Sequence, residues 1–316
     1  MGTSRRGLEP IVGWLLAACA AVSVMTTVGI VLMLLVESMQ FFGEVSLVEF
    51  LFGTEWAPQG KPQRFGILPL LSGTLLVTGG AILIAAPLGL GTAIYLSEYA
   101  SRATREVLKP LLEVLAGIPS VVYGVIAVTT VSPAIRYLFP KLTKAERIDR
   151  YGDYAEMAKL FEADVFNGLS ASIVVAFMVL PTIVSLSEDV LRSVPRELRS
   201  AAFALGATKY DVTTKVVVPA ALSGIVASFL LAISRAVGET MAVTLAAGAT
   251  PNMTLNPLES VQTMTAYIVQ VSKGDTPTGS IEYRTIFAVG LALFVSTMLL
   301  NLLAQGVLGR MREKYE

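Results

Sequence analysis

The sequence predicts an all-α polytopic membrane protein with six transmembrane helices, and both its composition and its residue order support this. Hydrophobic residues make up 54% of the 316 residues, charged residues only 15%, and the mean hydropathy is +0.67. A soluble domain carries about 25% charged residues. The apolar residues also come in long uncharged runs that are apolar on every face, and each run supplies the roughly 20 residues that a spanning helix needs.

Six such runs give the approximate bounds of the predicted helices. Two runs differ from the others, because the second is interrupted by Pro69 and Pro87 and the fifth contains Arg235 and Glu239. We predict a single transmembrane domain over residues 11–312, with helices at about 11–36, 67–97, 111–135, 166–190, 217–248 and 285–309.

Lysine and arginine near the helix ends predict the orientation of the chain. If the N-terminus, residues 1–10, lies inside the cell, these basic residues concentrate in the segments on the cytoplasmic side of the membrane. The segment 191–216 alone holds five of them. Positively charged loops stay in the cytoplasm, so we expect both termini to be cytoplasmic. Residues 136–165 mix both signs of charge and are predicted to form a short folded insert on the extracytoplasmic side.

The composition also excludes several kinds of site. The chain has no histidine and a single cysteine, Cys19, so it lacks the commonest general base and cannot build a disulfide framework. Basic and acidic residues balance at 24 each, which gives no reason to expect nucleic-acid binding, and no phosphate-binding loop of the usual ATPase pattern is present. We expect no catalytic residue, metal site or cofactor in this chain. Cys19 ends an LAAC stretch like a lipoprotein cleavage site, but the apolar run continues to Val36, which predicts an uncleaved first helix.

The segment between the fourth and fifth predicted helices carries the most specific motif. The Ala-rich residues 201–205 favour a helix, Gly206 supplies a turn, and Pro219 is expected to begin the next membrane helix. A short helix-turn-helix at the membrane surface suits the docking of a soluble partner. An ordinary amphipathic linker is the alternative.

This segment resembles the cytoplasmic loop of ABC importer permeases, whose pattern is Glu-Ala-Ala, three residues, Gly, nine residues and then Ile-x-Leu-Pro. Here the spacing is the same, with Ser in place of the usual Glu at the first position. The resemblance implies the type I ABC importer permease fold, in which this loop forms a coupling helix that seats on an ATPase subunit. It assigns that contact to Ser200, Ala201, Ala202, Gly206, Ala207, Thr208 and Pro219.

Further stretches resemble the PstC-type permeases of bacterial phosphate importers. They are TEWAP at 54–58, FGILPLLSGTLLVT at 65–78, AGIPSVVYG at 116–124 and SRAVGETMAV at 234–243. The resemblance implies a multi-pass protein of the bacterial inner membrane that imports inorganic phosphate. Its implied partners are a homologous PstA-like permease, a dimer of PstB-like ATPase subunits that binds ATP and Mg²⁺, and an extracytoplasmic PstS-like phosphate-binding protein. Permeases for sulfate, molybdate or phosphonate share the docking loop and remain alternatives.

Arg235 and Glu239 are the expected substrate-pathway residues. They are four residues apart on a predicted helix, so we expect them to share one face and neutralise each other. Arginine presents a planar fork that matches two phosphate oxygens, and the resembled family implicates the matching positions in translocation. The alternative is an ion pair that only stabilises the helix. Ser120 and Tyr123, beside an expected bend in the third helix, are predicted to offer hydroxyl groups to the pathway, with simple packing as the alternative.

A second class of function uses the same two residues. In a secondary anion transporter, Glu239 would serve as a proton relay. Such carriers often contain internal repeats, and we find no convincing repeat between residues 1–158 and 159–316. A docking loop has no role in that class, so the sequence favours the ATP-driven importer.

Overall fold

The computed structural model describes residues 9–142, 146, 150–151, 154–274 and 276–311. Of the basic residues near the termini, Arg5, Arg6, Arg312 and Lys314 lie outside these residues. Within the described part, six helices are long and apolar enough to cross a membrane, which confirms the all-α prediction with six spans. They are Val12–Glu44, Leu68–Tyr99, Ser120–Leu138, Gly168–Ser193, Lys209–Val237 and Ile281–Gly306.

The elements are numbered here in chain order. Helices α1 (Glu9–Glu44) and α2 (Leu47–Phe52) precede a short antiparallel hairpin of β1 (Trp56–Ala57) and β2 (Arg64–Phe65). The remaining helices are α3 (Leu68–Tyr99), α4 (Arg102–Ala116), α5 (Ser120–Leu138), α6 (Ala155–Ala158), α7 (Gly168–Ser193), α8 (Arg196–Ala204), α9 (Lys209–Val237), α10 (Met241–Ala246), α11 (Met264–Lys273) and α12 (Ile281–Met311).

Helix α7 is the central element of the bundle and packs closely against α3 and α9. Small residues make this possible, because membrane helices associate through close packing of their backbones. A Cβ atom added at Gly80 or Gly89 of α3 would collide with Ser172 or Ile183 of α7, and one added at Gly224 of α9 would collide with Val190. The main apolar core therefore lies around α7.

The two ends of α7 mark opposite ends of the molecule. Its 26 residues span about 39 Å. At its first residues lies a small core of Ile135, Ala163 and Leu258, which we call the insert end. At its last residues lies another core that includes Leu191, Val212 and Ala221, with Ala202 of α8 against it, which we call the loop end. The predicted insert and the predicted docking loop thus lie at opposite ends.

Two of the spanning helices contain a wide π-helical turn shortly before a proline. The turn Ala127–Val131 precedes Pro133 in α5, and the turn Thr213–Val217 precedes Pro219 in α9. Proline lacks an N–H group and clashes with the carbonyl group four residues earlier, and a π turn relieves this conflict. Pro219 therefore takes an N1/N2 position of the α-helical segment Val218–Val237, as predicted, although the helical chain continues back through the π turn to Lys209.

The third predicted helix, 111–135, is two helices in the structure. Helix α4 ends at Ala116, and α5 begins only after an extended Pro119, at Ser120. Residues before a proline are driven out of the α-helical region. Helix α4 carries charges along one side and buries no side chain, so its apolar end is not the start of a membrane span.

The insert, residues 136–165, is only partly described, because residues 143–145, 147–149, 152 and 153 lie outside the described part. Its described ends are tied to each other and to the segment before α11. The backbone N–H of Ala163 donates to the carbonyl oxygen of Phe139, and that of Asp164 donates to Leu258. Lys141 also forms an ion pair with Asp164 at 2.9 Å. These contacts hold the insert against the end of the bundle.

Candidate functional site

Helix α9 ends inside the bundle, and the chain forms a new helix only three residues later. The break consists of Gly238, Glu239 and Thr240, between Val237 and Met241. The predicted fifth helix, 217–248, is therefore interrupted. Irregular backbone at membrane depth is tolerated only where it is buried in protein or lines a water-filled cavity, so the break is a candidate for the polar pathway.

Arg235 lies in the last turn of α9 and reaches the middle of α7. Its Nη1 atom donates a hydrogen bond to Thr182 Oγ1 at 3.2 Å, and Thr182 lies near the middle of Gly168–Ser193. The arginine side chain is exposed at the surface of this chain. A permanently charged group thus stands near the centre of the bundle on a side that the chain itself leaves open.

Arg235 and Glu239 do not form the expected pair. Glu239 lies beyond the end of α9, where its Oε1 atom accepts a hydrogen bond from the backbone N–H of Ala242 at 3.1 Å. Its carbonyl oxygen accepts a second hydrogen bond from Thr265 at 2.8 Å. Within the described residues, no ion pair within 4.0 Å joins Arg235 to a carboxylate. The prediction of a shared helix face is wrong, because the helix ends at Val237 with Gly238 as its C-cap, and glycine is a poor helix former.

Tyr123 is buried and bonded to α4, and Ser120 lies at the start of α5. Tyr123 is 7% exposed, and its hydroxyl group donates to the carbonyl oxygen of Leu115 at 2.9 Å. Ser120 is half-buried at the first residue of α5, and no hydrogen bond in the described part joins it to Arg235. Among the described residues, the hydroxyl group that binds Arg235 is that of Thr182.

Two polar contacts near this site were not predicted. Thr182 is one, and the other joins Ser234 Oγ of α9 to Asn301 Oδ1 of α12 at 3.0 Å. Thr182, Ser234 and Asn301 are each polar side chains inside an apolar run, and Thr182 directly follows Pro181. Polar residues within membrane spans are rare and often functional, so this signal was available in the sequence.

The docking loop has the predicted geometry of two short helices joined at a glycine. Gly206 adopts a φ of 82°, and the chain closes α8 with hydrogen bonds from Gly206 N to Phe203 O and from Ala207 N to Ala202 O. This is the Schellman arrangement, which requires a left-handed residue after the helix. Thr208 then accepts a hydrogen bond from the backbone N–H of Asp211 and caps the start of α9.

The residues assigned to ATPase docking divide into two groups. Ala202 and Ala207 pack against the core of the loop end, whereas the other members are exposed, namely Ser200, Ala201, Gly206, Thr208 and Pro219. Large apolar side chains beside them are also open to solvent, with Leu205 88% exposed and Tyr210 68% exposed. An exposed apolar patch of this kind marks an interaction surface.

Arg199 fastens the loop to the end of the bundle. Its guanidinium group donates to the carbonyl oxygens of Leu191 (2.7 Å) and Val194 (3.2 Å) at the end of α7. It also pairs with Glu98 of α3 at 3.1 Å, where both side chains are mostly buried. The carbonyl groups at a helix end lack helical partners, and Arg199 supplies them with donors. The position of α8 is therefore set by α7 and α3.

Comparison with known proteins identifies the family of this chain. The family described as "Binding-protein-dependent transport system inner membrane component" matches residues 85–313. A Bacillus subtilis protein named "Probable ABC transporter permease protein YqgH" is 35% identical, with 94% of this chain and 90% of the relative covered. A Mesorhizobium japonicum protein named "Phosphate transport system permease protein PstC" is 33% identical, with 83% and 78% covered. A Mycobacterium tuberculosis "PstC 1" is 31% identical, with 95% and 93% covered.

Solved structures agree on the fold. A chain of the bacterial alginate ABC transporter, in complex with a periplasmic protein bound to an alginate pentasaccharide, matches with a TM-score of 0.57 at 15% identity. The match covers 95% of this chain and 94% of that chain. A chain of the MetNI methionine ABC transporter in an inward-facing conformation matches with a TM-score of 0.52 at 16% identity, over 78% and 95% of the two chains. The predicted ABC importer permease fold is thereby confirmed.

Proposed function

Because the chain belongs to the binding-protein-dependent transport system inner membrane component family, and within it to the PstC-type permeases, we propose that it is a permease subunit of an ABC importer for inorganic phosphate. The protein is a multi-pass protein of the inner membrane. ATP is hydrolysed in a separate subunit, and this chain provides half of the route through the membrane.

One observation supports this function above all others, the position of Arg235. Its guanidinium group lies near the centre of the bundle beside the hydroxyl group of Thr182, at a break in α9. A charge in this position costs roughly 3 kcal/mol or more, and no carboxylate within the described residues neutralises it. An anion that passes the break finds a planar two-pronged donor that never loses its proton.

The role of Glu239 differs from the one that its spacing predicts. Its carboxylate caps the first turn of α10, and its carbonyl group anchors the break to Thr265 of α11. Glu239 therefore shapes the backbone around the pathway, and Arg235 is left free to meet the anion. A carboxylate that caps a helix in this way gives no support to the alternative function, a secondary transporter in which Glu239 relays protons.

The oxyanion is identified by the relatives. Several relatives at 31–33% identity carry the name PstC, while the relative at 35% identity is named only as a probable ABC transporter permease. A guanidinium fork beside a hydroxyl group suits any tetrahedral oxyanion. Sulfate, molybdate and phosphonate are therefore the competing substrates within the same class.

The partners follow from the two ends of the molecule. The exposed α8–Gly206–Thr208 turn docks an ATPase dimer that binds ATP and Mg²⁺, and it faces the cytoplasm with both termini. The insert end, with Tyr137 and Tyr154 exposed, faces outward and meets a phosphate-binding protein. The open side beside Arg235 meets a homologous second permease subunit. Cofactors are bound by the ATPase and none by this chain.

A transport measurement with competing anions tests the proposal. The complete importer, with its ATPase and binding protein, is reconstituted in vesicles and supplied with ATP and labelled phosphate. Uptake that requires ATP and resists excess sulfate or molybdate supports a phosphate importer. Uptake of another oxyanion in place of phosphate would correct the substrate, and uptake without the ATPase would overturn the class.

A further inference from the structure

A buried carboxylate at the loop end forms ion pairs with three basic side chains. Glu188, in the last turns of α7, is 1% exposed. Its Oε2 atom lies 2.7 Å from Lys109 Nζ, and its Oε1 atom lies 3.5 Å from Arg105 Nε and 3.4 Å from Arg192 Nη1. A buried carboxylate is costly unless it is paired and hydrogen-bonded. Glu188 is therefore paired with three cations, and these neighbours are held in place by Glu188.

Two of these cations, Arg105 and Lys109, belong to α4. Helix α4 buries no side chain of its own. Lys109 binds Glu188 and also the exposed Asp189, each at 2.7 Å. Burial lowers the pKa of Lys109, but its hydrogen bonds to Asp189 and Glu188 outweigh that effect and leave the pKa above its ordinary value. Lys109 thus stays charged, and its contact with Glu188 links α4 to α7.

The same end of α7 holds the docking loop. Glu188 lies one helical turn before Leu191, whose carbonyl oxygen accepts a hydrogen bond from Arg199 of α8 at 2.7 Å. Arg105 of α4 donates to the carbonyl oxygens of Leu96 and Ser97 at the end of α3. Next to them, Glu98 pairs with Arg199. The end of α7 and the end of α3 therefore both connect α8 to α4.

The other end of α4 reaches the pathway. The carbonyl oxygen of Leu115, in the last turn of α4, accepts the hydroxyl group of Tyr123 of α5, across the break at Gly117–Pro119. Beside Tyr123, Gly124 of α5 packs against Ala242 in the first turn of α10, after the break that follows Arg235. A continuous set of contacts thus runs from Arg199 in the docking loop, through Glu188 and α4, to Tyr123 and the first turn of α10.

We infer that Glu188 is a positioning residue that couples the docking loop to the pathway, by making α4 follow the movements of α8. This inference rests on the proposed ATP-driven transport. A shift of α8 by the ATPase moves the end of α7, and the Lys109–Glu188 bridge carries the shift into α4 and on to Tyr123. Coupling links transport to hydrolysis, so the test measures the two separately.

The test compares Glu188→Gln with Asp189→Asn in the complete importer, reconstituted in vesicles with its ATPase and binding protein. Glutamine keeps the shape of Glu188 and removes its charge, while Asp189→Asn removes the exposed carboxylate on the same lysine. The readout is the number of anions taken up per ATP hydrolysed. We expect the ratio to fall at least tenfold in Glu188→Gln with hydrolysis retained, and to change less than twofold in Asp189→Asn. The ratio uses whichever oxyanion the unaltered importer transports, so an error in the substrate does not affect the test.

Two other results would overturn the inference. An unchanged ratio in Glu188→Gln would mean that the bridge does not transmit movement. A parallel loss of uptake and hydrolysis would mean that Glu188 only stabilises the fold. If Glu188→Gln does not assemble, Lys109→Met takes its place, because Lys109 is 27% exposed and its loss leaves Glu188 paired with Arg105 and Arg192. A normal ratio in Lys109→Met would then reject the inference, as would its failure to assemble.

Discussion

The Glu239 carboxylate accepts a hydrogen bond from the backbone N–H of Ala242 at 3.1 Å, across the break that separates α9 from α10. This contact leaves Arg235, four residues earlier, to bind the hydroxyl group of Thr182. Two charges that look like an ion pair in the sequence thus have separate roles. Glu239 acts on the backbone, and Arg235 faces the route of the anion.

Glu239→Gln is expected to be far milder than Glu239→Ala. Glutamine retains an acceptor oxygen for the N–H of Ala242, whereas alanine removes it, and the loss of such a cap costs about 1 kcal/mol. Thermal unfolding of the purified complex should show a lower midpoint for Glu239→Ala and a nearly unchanged one for Glu239→Gln. Equal destabilisation by both changes would mean that the charge matters, and would restore the ion pair.

The double change gives an independent check on the same separation. Residues that do not interact have additive effects, so Arg235→Gln and Glu239→Gln together should destabilise the complex by the sum of the two single effects. An ion pair predicts instead that the second change relieves the first. Recovery of stability in the double variant would contradict the geometry described for Glu239.

The backbone conformation at Gly206 limits which residues the turn of the docking loop can accept. Gly206 has a φ of 82°, and no atom lies within 4 Å of a Cβ built on it, so the space is open. Asparagine visits the left-handed region more readily than other residues, whereas Leu pays roughly 1–2 kcal/mol there. We expect Gly206→Asn to retain ATPase binding and uptake, and Gly206→Leu to lose uptake while the chain still inserts. Equal loss in both variants would point to the size of the side chain at the docking surface.

The proposed orientation is tested by labelling single cysteines. Cys19 is exposed and must first be changed to Ser. A thiol reagent that does not cross membranes should then label Thr208→Cys only in inverted vesicles, because the docking loop is cytoplasmic. Tyr137→Cys at the insert end, where Tyr137 is 88% exposed, is the matched control and should react only in intact cells. The reverse pattern would invert the topology.

Local sequence signals predicted the docking loop correctly. The predicted helix bounds were wrong where the structure depends on features that such signals do not show. The turn at Gly206 depends on one glycine and the helix formers around it, and the structure has it where the spacing indicates. The end of α9 at Gly238 was missed because the apolar run continues to Gly248, and hydropathy does not distinguish one helix from two. Pro219 was correctly placed at the start of an α-helical segment, but the π turn that joins this segment to the helical residues before it leaves no mark in the sequence pattern.

Contacts between distant segments were beyond prediction. Glu188 and Lys109 are 79 residues apart, and Arg235 and Thr182 are 53 apart, so no spacing rule joins them. The sequence identified Arg235 by its cost in a membrane, and it identified Tyr123 by a motif. Only the packing of α7 against α9 reveals Thr182 as the partner of Arg235.

Thr182 is expected to hold Arg235 in its working position. Thr182→Val keeps the shape and removes the hydroxyl group, and a hydrogen bond to a charged group contributes about 1.5–3 kcal/mol. Uptake at low phosphate concentration should fall about tenfold or more, while Thr182→Ser should remain close to normal. Similar uptake in the Val and Ser variants would show that Arg235 does not depend on this contact.

The most direct test of the account is ATP-driven uptake of labelled phosphate by vesicles that contain the complete importer with Arg235→Gln. We predict that the complex assembles and hydrolyses ATP but takes up no phosphate. Arg235→Lys should recover only part of the uptake, because an ammonium group keeps the charge and loses the two-pronged geometry. Normal phosphate uptake by the assembled Arg235→Gln importer would contradict the central claim that Arg235 meets the passing anion.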